Sequence, residues 1–207
     1  LLTDLVKRQL FSECSRFTIR QFDLSSDGKL QPWHIKEYAG LEEGMNMFAL
    51  DLDQVRRDLA SVPIVSSVTV KRRLPDTLVI RITERVAVAR LGHGENGYFL
   101  GLDREGYVLG PSSITPNLPT ISGLRDKGLR PGGRITDPSV VDALQVLDVC
   151  DSMSLSQMIR VKDVDVGSSE YLDIKLAKGE RVYLSRSNME TKLHKFARFL
   201  QKKKKKG

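Results

Sequence analysis

The sequence predicts an α+β chain in two parts. The first is a β-α-α-β-β unit, a three-stranded sheet with two helices. The second is a mainly antiparallel β domain with two helices of its own. Three observations carry this reading. From Val68 to Leu91, VTVKRRLPDTLVIRITERVAVARL, apolar and polar residues alternate on both sides of Leu74-Pro75-Asp76, the period of two that marks half-buried strands. Upstream, PWHIKEYA and LDQVRRDLASV repeat their apolar residues at helical spacing. In the last third, the runs MIRVKDVDV, EYLDIKLA and RVYLS lie between two amphipathic stretches.

Taken in order, residues 1–15 open as a helical segment, LLTDLVKRQLFSEC, with Leu1, Leu2, Leu5, Val6 and Leu10 on one side. FTIRQF is expected to be the first strand and SSDG a turn. Pro32 suits a first helical position and Gly40 a stop. Asp51 is a plausible cap for the second helix, whose face is Leu52, Val55, Leu59 and Val62, and Pro63 ends it. The hairpin follows, turning at Pro75-Asp76. Residues 77–91 would span roughly 50 Å at about 3.3 Å per residue, and strands usually stop at about 10 residues. The chain is therefore expected to leave one sheet near Glu84-Arg85 and enter another, giving domains at 16–85 and 86–201.

In the second domain YFLGLDREGYVLG reads as a hairpin around Asp103-Arg104-Glu105-Gly106. Residues 110–136 hold Pro111, Pro116, Pro119 and Pro131 and read as a meander or loop. Asp137-Pro138 opens a helix with Val140, Leu144 and Leu147 as its stripe. Among the three strands, the first changes phase between Val161 and Val164, which predicts a bulge near Lys162-Asp163. Lys178-Gly179 is a tight turn. The last helix stacks Met189, Leu193, Phe196 and Leu200, and residues 202–207 read as a disordered lysine tail.

Composition narrows the function. Apolar residues make up 40% of the chain and charged residues 29%, enough for cores and for a soluble surface. No apolar run reaches the ~18 residues of a membrane span. The net charge is +7, but five of the lysines are Lys202 to Lys206, and 7 − 5 leaves +2. No aromatic residues interleave with that run, so nucleic-acid binding is not expected, while contact with anionic headgroups remains open. Cys14 and Cys150 form no disulfide framework.

Several motifs lead nowhere. Gly92-His93-Gly94-Glu95-Asn96-Gly97 matches a dinucleotide pattern, but a strand follows where a helix is needed. Asp23-Leu24-Ser25-Ser26-Asp27-Gly28 resembles half a calcium loop, yet its twelfth position is His34 rather than Glu. His34, His93 and His194 have no ligand-spaced partners, and no nucleophile elbow is present. No enzyme activity, cofactor, metal or small-molecule substrate is expected. Tyr183 and Phe196 are candidate interface anchors, with core packing the alternative for both.

The first domain resembles a POTRA (polypeptide-transport-associated) domain. The run from Gly44 through Asn46, Phe48, Leu50, Asp51, Pro63, Val65, Val68, Val70, Arg72, Leu74, Pro75, Leu78, Ile80, Glu84 and Arg85 resembles the bacterial cell-division family FtsQ/DivIB, although Val86 stands where that pattern has Pro. The hairpin LGLDREGYVLG resembles the start of the family's β domain. The resemblance implies a single-pass bacterial inner-membrane protein, anchored by a segment upstream of Leu1, with this part on the periplasmic side. It implies a divisome scaffold that binds FtsB and FtsL, with FtsW and the division transpeptidase as further partners. In the family, a strand after the last helix and the helix itself receive FtsB by strand addition. That strand is not in this sequence, so the substitutes are Arg181, Tyr183 and Ser185 on the preceding strand and Leu193, Phe196 and Leu200 on the helix. Lys71, Arg73 and Arg81 are expected to protect the edge of the long hairpin and to select an acidic partner. The alternative is a POTRA module of an outer-membrane assembly or secretion protein, which predicts tandem repeats or a barrel; one such unit is present here, followed by a different domain.

Overall fold

The computed structural model describes residues 17–92, 99–124, 129–152 and 160–204. The N-terminal helical segment, Cys14, His93 and most of the glycine-rich loop therefore lie outside the described residues. The chain divides between Arg85 and Val86 into two compact units.

The first unit runs β1 (Gln21–Ser26), α1 (Pro32–Tyr38), α2 (Leu52–Ala60), β2 (Val65–Arg73) and β3 (Thr77–Glu84). β3 is the middle strand, parallel to β1 and antiparallel to β2. Its Leu78, Ile80 and Ile82 are buried on the face that also gathers Ile35 of α1 and Val55 and Leu59 of α2 into one core. Alternation thus decides which face is covered, as the period of two demands. Asp51 caps α2, its Oδ1 accepting from the Asp53 and Gln54 amides at 2.9 and 3.3 Å.

The first strand lies further along than the sequence suggested. Residues 17–19 pair instead with the segment 44–47: Met47 donates its amide to the Phe17 carbonyl at 2.8 Å and Ile19 to Met45 at 2.8 Å. The ladder with β3 begins at Gln21 and continues through Ser25 and Ser26, the residues read as a turn. Serine there is tolerated because parallel pairing to a buried strand supplies the backbone partners.

Two polar side chains, Glu84 buried and Arg72 half-buried, lock this unit. Glu84 is 8% exposed; its carboxylate accepts from the Ser26 hydroxyl at 2.5 Å, the Leu30 amide at 2.6 Å and the Lys29 amide at 2.8 Å. A Cβ on Gly28 would fall 2.3 Å from Glu84 Oε2, so a larger residue there would push the carboxylate away from its partners. Arg72 donates to the Met47 and Leu50 carbonyls, both at 2.8 Å, with its guanidinium over Phe48.

The second unit contains β4 (Ala89–Leu91), β5 (Leu100–Leu102), β6 (Val108–Leu109), a 3-10 turn (Pro111–Ser113), β7 (Thr120–Ser122), α3 (Pro138–Ser152), β8 (Val161–Asp165), β9 (Tyr171–Leu176), β10 (Arg181–Ser185) and α4 (Met189–Lys204). The sheet order is β10-β9-β8-β7-β4-β5-β6. Pairing is antiparallel except where β7 joins β4 and β8. β7 lies in the stretch read as a meander; its three residues are too short to show a period. The predicted bulge falls between Val161 and Asp163. Asp137 accepts the Ser139 amide at 2.7 Å at the start of α3. The core joins Val140, Leu144 and Leu147 of α3 to Ile121, Val164, Leu172, Ile174 and Phe196. α4 continues through Lys204, so the first lysines of the presumed tail are helical. Cys150 is buried and unbridged, and burial raises its thiol pKa to about 12.

Candidate functional site

The two margins of the larger sheet differ. At β6 the segment 132–134 closes the margin: Gly132 donates to the Val108 carbonyl and Val108 to the Gly133 carbonyl, both at 2.8 Å, and Tyr107 bridges Arg134. At β10 no further strand pairs among the described residues.

Register decides which groups β10 presents there. Arg181 lies opposite Lys175, Tyr183 opposite Asp173 and Ser185 opposite Tyr171. The Leu176 amide donates to the Glu180 carbonyl and the Arg186 amide to the Glu170 carbonyl, each at 2.9 Å. Hydrogen-bonded pairs alternate in an antiparallel ladder. Glu180, Val182, Leu184 and Arg186 therefore point their backbone groups at β9, and Arg181, Tyr183 and Ser185 point theirs outward. The latter three are the strand residues singled out from sequence.

Their side chains share the sheet face away from the core, while Leu184 is buried and Val182 packs on it. Tyr183 is 59% exposed and meets Tyr171 edge to face, ring centroids 5.5 Å apart. Arg181 pairs with Asp173 at 3.5 Å, and Asp173 keeps Oδ1 buried without a hydrogen-bond partner. Ser185 and Ser187 hydroxyls lie 3.0 Å apart. Sequence reading missed Tyr171 and Asp173. The signal was available, since the tight turn at Lys178-Gly179 sets the register that places them opposite Ser185 and Tyr183.

The strand is held from behind. Just beyond it, Arg186 donates to the Ser139 hydroxyl at 2.5 Å and the Val166 carbonyl at 2.8 Å. The same Ser139 holds Asp137 below the usual carboxylate range, chiefly through its side-chain hydrogen bond. α4 packs on α3 and β10. Phe196 is 4% exposed and belongs to the core, so packing is its role; Phe199 is 48% exposed. Leu193 and Leu200 lie on the same helix, their side chains outside the described set.

In the first unit the three basic residues do not act together as an edge guard. Arg81 lies on the central strand, and its guanidinium grips Asp23: Nη2 to Oδ1 at 2.9 Å, Nη1 to the backbone carbonyl at 2.7 Å. Arg73 reaches Asp23 Oδ2 at 3.3 Å. Arg81, by hydrogen bond, holds the Asp23 carboxyl below its ordinary range, and Asp23 raises Arg81 in turn. Two of the three charges are thus satisfied internally, which sequence spacing cannot reveal because Asp23 is brought over by a parallel pairing. Lys71 is exposed on the edge strand β2. Asp23 is also the first residue of the calcium-like loop, and no cluster suited to a metal ion occurs among the described residues.

A POTRA-type unit followed by a β domain defines a class of chains that carry a POTRA module ahead of a domain of different build. Residues 17–85 match the model for the POTRA domain of FtsQ type, and residues 89–206 match that for the C-terminal region of cell division protein FtsQ/DivIB. The chain belongs to the FtsQ/DivIB family of cell-division proteins. Cell division protein FtsQ of Myxococcus fulvus is 27% identical over 192 residues, covering 88% of this chain and 64% of the relative. Cell division protein DivIB of Clostridium acetobutylicum is 26% identical over 163 residues, 77% of this chain and 63% of the relative. FtsQ of Geotalea daltonii is 33% identical over 115 residues, 55% and 41% respectively. The chain spans about three-fifths of the length of the first two relatives.

Proposed function

We propose that this chain is a non-enzymatic scaffold of the bacterial division complex that takes up a partner segment as an added strand along β10. In this reading its two domains stand on the extracytoplasmic side of the inner membrane, held by an anchor N-terminal to Leu1. FtsB and FtsL are the partners that the family resemblance implies, with FtsW and the division transpeptidase as further members of the complex. Among the described residues no helix is long and apolar enough to cross a membrane.

One observation carries the reading: Arg181, Tyr183 and Ser185 turn their amides and carbonyls away from β9, which follows from the register. An unpaired ladder of this kind offers affinity through the main chain. Arg181 and the Tyr183–Tyr171 pair supply side-chain discrimination on the outer face.

The same alternation gives a selective test. Proline at position 183 removes an outward amide while sparing the bonds to β9, the placement in which an edge strand tolerates proline. Tyr183→Pro is expected to keep the thermal transition and to lose at least about tenfold in affinity for the extracytoplasmic segments of FtsB and FtsL, measured by calorimetry. Tyr183→Ala separates the lost ring from the lost amide and should bind better than the proline variant. Unchanged binding by Tyr183→Pro would remove β10 as the docking strand.

A further inference from the structure

One helix and its continuation carry the whole net charge of the chain. Residues 189–207 hold 8 of the 33 Lys and Arg and 1 of the 26 Asp and Glu, so the rest balances at 33 − 8 = 25 against 26 − 1 = 25. Along α4, Lys195, Arg198 and Lys202 follow at three- and four-residue spacing and all are exposed, which puts them on one side of the helix. Phe199, beside Arg198, is also exposed, whereas Phe196 turns into the core. None of the three cations has an ion-pair partner among the described residues. Lys192, a turn earlier, is partly engaged, donating to the Ser187 hydroxyl at 3.0 Å.

The helix dipole accounts for cations in a last turn, but not for Lys195 and Arg198 further in. A discrete anion would need donors converging on one point, and these side chains stand side by side along a helix. Their spacing fits an extended layer of negative charge, with an apolar layer behind it for an aromatic ring. Basic residues flanking an exposed aromatic on a helix are the pattern of interfacial membrane contact. We propose that the outer side of α4 is a docking surface for anionic lipid, with Lys195, Arg198 and Lys202 on the headgroups and Phe199 entering the interface. This rests on the extracytoplasmic, membrane-tethered reading, in which the bilayer is a nearby anionic surface.

Flotation with phosphatidylcholine vesicles containing about one-third phosphatidylglycerol, compared with phosphatidylcholine alone, tests it. The chain should float with the anionic vesicles only and be released at about 0.5 M salt. Each basic residue near such a surface is worth about a fivefold change in partitioning. Arg198→Gln should therefore weaken flotation about fivefold, and Lys195→Glu/Arg198→Glu/Lys202→Glu at least about 100-fold with an unchanged melting curve. Phe199→Ser should weaken it further while leaving the salt dependence in place. Equal flotation of the triple variant and the parent would overturn the proposal. So would loss of binding on deleting residues 203–207 alone, or tighter capture by polyglutamate than by vesicles, which would make the stripe a protein-facing one. Tyr183→Pro should float normally, so failure of the strand-addition reading and failure of this one are separable.

Discussion

At the scale of single residues, Asp163 shows how the larger sheet handles charge. It lies at the bulge of β8, accepts the Ser122 hydroxyl at 3.0 Å, and has its carboxyl pKa raised, first by burial and also by Asp165 and Asp173. A carboxyl raised in the fold is easier to ionise in the unfolded chain, so its ionisation costs stability once the pH exceeds the unfolded value. Asp163→Asn keeps an acceptor for Ser122 and removes that cost. The variant should melt higher than the parent at pH 7, and the difference should vanish near pH 3, where both states are protonated. A thermal melt at the two pH values decides it, and a lower melting temperature at pH 7 would show the carboxylate to be favourable. Asp23 has the opposite sign: Arg81 lowers it, so its contribution is present at neutral pH and fades on acidification. Nothing in the sequence distinguished these two aspartates, because what separates them is which strand lies alongside.

Between elements, Glu84 at the end of β3 ties down the loop that leads from β1 to α1, through one hydroxyl and two amides. Glu84→Ala leaves those donors to partial solvation and is expected to cost roughly 2–3 kcal/mol, read from chemical denaturation; a loss within experimental error would mean that water replaces the carboxylate. The legibility of elements followed the same logic. α2 was readable because Asp51, its apolar stripe and Pro63 are local signals, and the bulge at Lys162-Asp163 was readable because a phase change is local too. β1 was displaced in the reading because its partner, β3, lies more than fifty residues away, and β7 was missed because three residues carry no period. On β10, sequence reading named Arg181, Tyr183 and Ser185, and the register turns their backbone groups away from β9. Their neighbours Tyr171 and Asp173 were not named, since they enter through cross-strand register.

For the whole molecule, each unit closes its own core, one around Ile35, Leu59, Leu78 and Ile80, the other around Ile121, Val140, Val164 and Leu172. Residues 16–87 and 86–204, expressed separately, are each expected to melt cooperatively with dispersed amide resonances; a fragment lacking both features would show that it borrows stability from the other half. The shift from one sheet to the next near Glu84-Arg85 was legible because a single strand of that length would be implausible, whereas the neutrality of everything before residue 189 emerges only by counting. The outward amides of β10 have one more consequence. A groove that recognises side chains obliges two proteins to change in step, but a ladder of peptide groups is the same whatever residues it carries. Under the proposed strand addition, partners joined there would be free to diverge in sequence between lineages and still fit, so long as the visitor stays extended and proline-free over about three positions.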